Sequence, residues 1–193
     1  MSPRTGRWLE RAAIVLASLA VSVGVIALLS GGLAGGRDNP GISVRDGAVP
    51  GRAYPDQGDR RLAPGEPRPH YDSNPPSSGP HRAVMVTRND APISDDQLLQ
   101  ALSLGDVVFL YSSTAPPAGL QAVADLVAPR FTRALAAAGQ TVILARRPGL
   151  PTITAVAWDH MLRSNSAAEL QSFATHWLGR GAGAKTAAVV GNR

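Results

Sequence analysis

Four histidines, His70, His81, His160 and His176, are the residues of this 193-residue chain best suited to bind a metal or move a proton. No two of them have the spacing of ligands on one helix or strand, since neither HxH nor HExxH occurs. A metal site would require distant positions to converge, such as His70 and His81 with His160 or Asp159. The alternative is that His160 and His176 are structural residues of a strand and a helix.

A second possible chemistry is nucleophilic catalysis by Ser77 or Ser78 with His81 as the base. These residues lie in a turn-rich loop, where functional sites are common. However, neither GxSxG nor SxxK surrounds the serines, and nothing indicates an oxyanion-binding helix start. The hydroxyls could equally satisfy the backbone of their own loop. The sequence therefore predicts no enzymatic activity and no catalytic residue.

Other classes of chemistry have less support. Asp95 and Asp96 begin a predicted helix, where carboxylates complement the helix dipole. The glycines near Gly181 follow a helix and do not form a phosphate loop, and we predict no cofactor. The chain has no cysteine, which excludes disulfides, thiolate metal sites and CxxC redox chemistry.

The elements that position these residues follow from hydrophobic periodicity and caps. A capping box at Ser94 begins a helix that ends at Gly105. A second helical stretch begins near Pro117 and is interrupted at Pro129, and the last helix begins with a capping box at Ser166. Four strands are predicted, at Ala83–Thr87, Val107–Tyr111, Thr141–Ala145 and Ile153–Leu162.

The alternation of helices and strands predicts an α/β (α+β) domain, with a small mixed sheet of three to four strands and helices packed on it. Gly149 and Pro151 separate the last two predicted strands, which favours an antiparallel hairpin there.

An uncharged apolar run at residues 12–29 precedes this domain. As a helix it would rise roughly 27 Å, close to the hydrocarbon thickness of a bilayer. Arg4, Arg7 and Arg11 precede it, so the positive-inside rule places the N-terminus in the cytoplasm and the domain outside. A cleaved signal peptide is the competing interpretation, but the apolar run is longer than a usual signal-peptide core.

These observations predict five regions: a cytoplasmic tail at 1–11, a transmembrane anchor at 12–30, a flexible linker at 31–60, an extracytoplasmic domain at 61–180 and a disordered tail at 181–193. The formal net charge is +5, but the arginines are scattered and no nucleic-acid motif occurs. The predicted partners are the bilayer through residues 12–30 and an envelope protein, without nucleic acid. The oligomeric state stays open.

The loop Tyr71–His81, YDSNPPSSGPH, resembles the signature of the bacterial domain-of-unknown-function family 3105 (DUF3105). The resemblance extends over roughly residues 59–179 and includes the VVFLY strand at Val107–Tyr111 and the strand containing Ala157 and Trp158. It implies a single membrane anchor and a shared fold, but no established activity.

The resemblance also implies a metal-ligand cluster in relatives, which carry H-x-L-E-H-G before the buried strand. In this chain Gln100 and Leu104 stand at the two histidine positions, and Ser103 stands at the glutamate. A further histidine of the relatives is replaced by Arg61, although His70 could substitute for it. This chain is therefore a divergent member that keeps one histidine of the implied cluster.

We expect a non-enzymatic binding or accessory domain of the cell envelope. The candidate residues for binding a ligand or partner are all in the loop: Tyr71, Pro75, Pro76, Ser78, Gly79 and His81. No metal is expected. The alternative is a copper- or zinc-binding protein that uses His70 and His81, with His160 as a third possible ligand.

Overall fold

A computed structural model describes residues 49–183, which contain a mixed six-stranded sheet and four helices. The strands are β1 (Arg52–Ala53), β2 (Ala91–Pro92), β3 (Val107–Tyr111), β4 (Val142–Arg146), β5 (Thr154–Ala157) and β6 (His160–Arg163). The helices are α1 (Asp95–Leu104), α2 (Leu120–Asp125), α3 (Arg133–Ala137) and α4 (Ala167–Trp177). The predicted mixed α/β class is confirmed, but the predicted three to four strands were too few.

The sheet has the order β1-β6-β5-β3-β4-β2. The central strand β3 runs parallel to β4 and antiparallel to β5, and all five of its residues are buried. Alternate residues of β3 contribute to two separate cores, because successive side chains of a strand point to opposite faces. Phe109 packs with α2 and α4 on one face, and Val108 and Leu110 pack with α1 on the other.

The starts of α1 and α4 were correctly predicted from the caps at Ser94 and Ser166. The Ser94 side chain accepts a hydrogen bond from the Gln97 N–H, and the Gln97 side chain accepts one from the Ser94 N–H. Gly105 ends α1 with a left-handed φ of 114°. The stretch around Pro129 forms two short helices, α2 and α3, as its interrupting proline allows.

The predicted hairpin was wrong. Strand β3 lies between β4 and β5, and the hairpin is formed by β5 and β6 instead. The predicted strand Ile153–Leu162 reverses at Trp158 and Asp159, where Asp159 has a φ of 54°. Both sides of this turn are buried, so an uninterrupted apolar pattern concealed it.

Three other boundaries differ from the predictions. Residues Ala83–Thr87 belong to no strand, so the prediction of a strand there was wrong. The predicted linker at 31–60 included β1, which pairs with β6 through Arg52 and Ala53. Strands β1 and β2 were missed because each is two residues long and lies in a segment without apolar periodicity.

At the other end, Gly181 is buried and the Ala182 N–H donates to the Ser103 carbonyl (3.1 Å), so the first residues of the predicted tail are packed.

The anchor at 12–30, the cytoplasmic tail and most of the linker lie outside the described residues. Between residues 49 and 183, no helix is long and apolar enough to cross a membrane.

Candidate functional site

The candidate site is centred on His81, whose side chain is completely buried. Two chain segments meet here side by side: the His81 N–H donates to the Arg60 carbonyl (3.1 Å), and the Leu62 N–H donates to the His81 carbonyl (2.9 Å). The backbone therefore places the side chain of Arg61 beside the His81 ring.

Both ring nitrogens of His81 have partners. Nδ1 lies 2.9 Å from the Gly79 carbonyl oxygen, and Nε2 lies 2.5 Å from Nη1 of Arg61. A carbonyl oxygen only accepts and a guanidinium only donates, so the ring donates from Nδ1 and accepts at Nε2. Burial lowers the pKa of His81, and the nearby Arg61 charge lowers it further. His81 is therefore a neutral ring held in one tautomer.

Arg61 connects this ring to helix α1. The same Nη1 atom that contacts His81 also donates to Oε1 of Gln100 at 2.5 Å. Gln100 is only 4% exposed, whereas Arg61 is an exposed residue whose guanidinium reaches both acceptors. We call Arg61, His81 and Gln100 the closed polar centre, because the acceptors at its core are occupied by the chain's own cation.

The closed polar centre lies where the family resemblance implies a metal-ligand cluster in relatives. Three positions implied to carry metal ligands in relatives do converge in the fold, although His81 alone is a histidine here. The other two positions, Ser103 and Leu104, lie half-buried at the end of α1. In this chain the Arg61 guanidinium lies between the ring of His81 and the side chain of Gln100.

The carboxylate of Asp96 stabilises the same face of α1 through contacts that its position in the sequence did not predict. Asp96, one turn before Gln100, is 4% exposed and accepts hydrogen bonds from Arg68 (2.5 Å) and from the Arg82 backbone (3.1 Å) and side chain (3.3 Å). Burial alone would raise the pKa of Asp96, but these bonds outweigh it and lower the pKa from 3.8 to about 2. The helix-dipole role predicted for Asp96 was incomplete. The spacing of Asp96 and Gln100 by four residues was the available signal that they share a helix face.

The proline-rich loop is packed against the rest of the domain. The Tyr71 hydroxyl donates to the Pro80 carbonyl (2.8 Å), and its ring lies against Gly79. A Cβ atom at Gly79 would come within 2.9 Å of the Tyr71 ring, and the φ of 127° at Gly79 also favours glycine. The Asp159 N–H donates to the Ser77 carbonyl (2.9 Å), which ties the loop to the β5–β6 turn.

The predicted binding residues are consequently mostly inaccessible. Tyr71 is half-buried, and the remaining five are buried: Pro75, Pro76, Ser78, Gly79 and His81. The exposed residues of the loop are Asp72 and Asn74. Among the predicted residues, Tyr71 is the most accessible to a partner, and the prediction that this loop binds one stays a prediction.

The two serine hydroxyls have partners inside the domain, backbone groups for Ser78 and the Ser73 hydroxyl for Ser77. Ser78 Oγ donates to the Pro55 carbonyl (3.1 Å) and accepts from the Gln57 N–H (3.1 Å). Ser77 Oγ lies 3.1 Å from Ser73 Oγ. Because both nitrogens of His81 have other partners, neither serine has that ring as a base in this arrangement.

The alternative metal set of His70, His81 and His160 is not brought together. His70 is exposed, while His160 lies across the sheet from His81 and stacks on Trp177 with 3.7 Å between ring centroids. His160 Nδ1 also bonds to Asp159 Oδ1 (2.5 Å). Across residues 49–183, no three His, Asp or Glu side chains are placed to hold a metal ion. The three histidines lie on separate segments, and only His160 belongs to a named strand, β6, so their spacing in the sequence could not test this set.

Two further buried polar groups were not anticipated. The Nε1 atom of Trp158 is buried without a hydrogen-bond partner in the described part of the chain, and the Trp158 ring centroid lies 6.3 Å from that of His81. At the far end of α1, burial raises the pKa of Asp106 from 3.8 to about 7, although a hydrogen bond from the Thr141 N–H opposes the shift.

Comparison with known proteins gives one result. Residues 66–187 match the family described as "Protein of unknown function (DUF3105)". The chain belongs to this family. No curated protein and no solved structure matches the chain. The match includes Tyr71–His81 and Gln100, so two of the three residues of the closed polar centre lie within it, while Arg61 lies just before it.

Proposed function

We propose that this DUF3105 member is a single-pass membrane protein whose extracytoplasmic domain acts by binding, as a non-enzymatic accessory of the cell envelope. The apolar run at 12–29 and the arginines before it support the anchor and its orientation. The mixed sheet at 52–177 supplies a rigid domain beyond it.

The closed polar centre is the single observation that carries the non-enzymatic part of the proposal. His81 and Gln100 direct their acceptor atoms at one point, and the Arg61 guanidinium fills that point at 2.5 Å from each. The Arg61 guanidinium stabilises the buried acceptors as a bound metal ion would. Unlike a metal ion, it is covalently part of the chain and cannot activate a water molecule. The centre therefore joins the loop to α1 rather than performing chemistry.

Metal titration of the full chain in detergent tests this role. We expect neither stoichiometric binding of Zn²⁺ or Cu²⁺ nor a rise in melting temperature. The matched positive control is Arg61→His with Gln100→His, which places three imidazoles at the converging positions. Saturable one-to-one binding by the unmodified chain would overturn the proposal.

Topology is tested separately. We expect the full chain to stay in the membrane fraction after alkaline extraction. An epitope placed after Arg193 should be digested by protease added to intact spheroplasts. Release at alkaline pH, or an epitope protected until the membrane is broken, would contradict the anchor or its orientation.

A further inference from the structure

The stretch Ala83–Thr87, called here the open segment, has strand-forming residues but no strand partner. Within residues 49–183 its one backbone-to-backbone hydrogen bond is donated by Val84 to the Arg82 carbonyl (2.8 Å). Two of its carbonyls accept from side chains, Met85 from Gln97 (3.4 Å) and Thr87 from Arg133 (3.2 Å). Backbone N–H and C=O groups that have no strand partner are a template for the addition of another strand.

The side chains of the open segment add apolar contact area. Val84 and Met85 are 39% and 36% exposed, whereas Val86 is buried against the α1 core. Next to Val86 is a cavity of about 210 Å³, lined in part by Ile93 and Ala145. A strand docked here could pair through its backbone and place one apolar side chain in this cavity.

The charge around the open segment is positive. Arg88 and Arg133 are both exposed, and no carboxylate within the described residues forms an ion pair with either. Asp90 follows in the next turn but is not bonded to them. Two uncompensated guanidiniums at one end of an apolar segment favour an occupant with acidic side chains.

We infer that the open segment is a docking site for an extended, acidic segment of a partner protein, which adds to the domain as a β-strand. This inference rests on the proposed function, that the domain acts by binding, and names the surface and the partner chemistry. The main-chain groups supply pairing, the cavity beside Val86 accepts an apolar side chain, and Arg88 and Arg133 select acidic residues.

Charge also decides against a second copy of the chain as the occupant. Antiparallel pairing of two open segments would bring Arg88 of each copy next to Arg82 of the other, with both copies of Arg133 nearby. Arg82 is already committed to Asp96. Like charges opposed across a strand pair are destabilising.

Two synthetic peptides with alternating valine and charged residues, one glutamate-rich and one lysine-rich, test the inference on the full chain in detergent. We expect saturable binding of the acidic peptide by fluorescence anisotropy. Amide hydrogen exchange should slow at residues 83–88. The lysine peptide should bind weakly.

Charge-reversed variants provide the sharper comparison. Arg88→Glu with Arg133→Glu should lower the affinity for the acidic peptide about fivefold to tenfold, because exposed ion pairs contribute modestly to binding. The same variant should bind the lysine peptide more tightly than the acidic one. The matched control is Arg52→Glu at the opposite edge of the sheet, which should leave both affinities unchanged.

The inference is overturned by equal binding of the two peptides, by no saturable binding, or by exchange protection outside residues 83–88. Protection of the same amides by self-association, or by phosphatidylglycerol vesicles added without peptide, would assign the segment to a second copy or to the bilayer instead. Each of these outcomes leaves the alkaline extraction and zinc titration results unaffected, so failure here is distinguishable from failure of the proposed function.

Discussion

The closed polar centre and the open segment are neighbours along the chain but opposite in character. His81 is completely buried, and Val84, three residues later, is 39% exposed. The polar side chain finds every partner inside the domain, whereas the apolar side chains and their backbone are left accessible. This reverses the usual distribution of polar and apolar residues. We propose that the residue types that suggest chemistry form a structural centre here, and that the accessible apolar and backbone groups bind the partner.

In this comparison, removal of the His81 ring should cause the largest loss of unfolding free energy. His81→Ala leaves a cavity and removes the partners of Arg61 and Gly79, so we expect a loss of about 3 kcal/mol of unfolding free energy. Urea denaturation of the full chain measures this loss. The control His70→Ala, at an exposed histidine, should change stability by less than about 0.5 kcal/mol. Equal effects of the two substitutions would contradict the structural role of His81.

The two buried carboxylates of the α1 region should respond to pH in opposite directions, and Asp106 should give the larger response. Its pKa is about 7 in the folded chain and 3.8 when unfolded. The folded state therefore binds more protons between these values, and stability falls as pH rises from about 4 to 7, by on the order of 3 kcal/mol. Asp106→Asn should flatten the profile of unfolding free energy over this range. An unchanged profile would show that Asp106 does not titrate there.

The stability contributed by Asp96 should depend on pH with the opposite sign, because Arg68 and Arg82 hold its carboxylate ionised. Its folded pKa of about 2 lies below the ordinary 3.8, so its contribution is present above pH 4 and is lost as pH falls toward 2. Asp96→Asn should cost about 1–2 kcal/mol at pH 7, an amount reduced by the solvent exposure of both arginines. Denaturation at pH 7 and pH 3 checks this, and the cost of the substitution should be smaller at pH 3.

Substitutions in the open segment should have the smallest effect on stability. Val84→Ser with Met85→Ser should change the unfolding free energy by less than about 0.5 kcal/mol, because the native state leaves both side chains accessible. The same variant should weaken binding of the acidic peptide, while Leu126→Ser, at the C-cap residue of α2 that is 70% exposed, should not. A large loss of stability from the double substitution would show that the segment is part of the core.

Short-range signals in the sequence predicted much of the fold. The caps at Ser94 and Gly105 located α1, and the apolar run Val107–Tyr111 located the central strand. Each of these signals depends on residues within one helical turn or one strand. The two-residue strands β1 and β2 were not predictable in this way, because they are strands only through their pairing with β6 and β4.

The candidate site was predictable only in part. The family resemblance named the positions of Arg61, His81 and Gln100 but not what their side chains would do together. Asp96 was assigned to the helix dipole because its partners Arg68 and Arg82 precede it by 28 and 14 residues. The exposure of Val84 was not predicted, since a strand-like pattern does not reveal whether a neighbouring strand exists.

The sequence by itself determined where α1 and α4 begin, which strand is buried on both faces, and that residues 12–29 form an uncharged apolar run. These properties depend on near neighbours and on composition. Only the tertiary structure decided that Arg61 meets His81 across 20 residues and Gln100 across 39. It also left Ala83–Thr87 without a strand partner. Contacts over such separations depend on how the sheet and α1 pack, and no local pattern of residues records that packing.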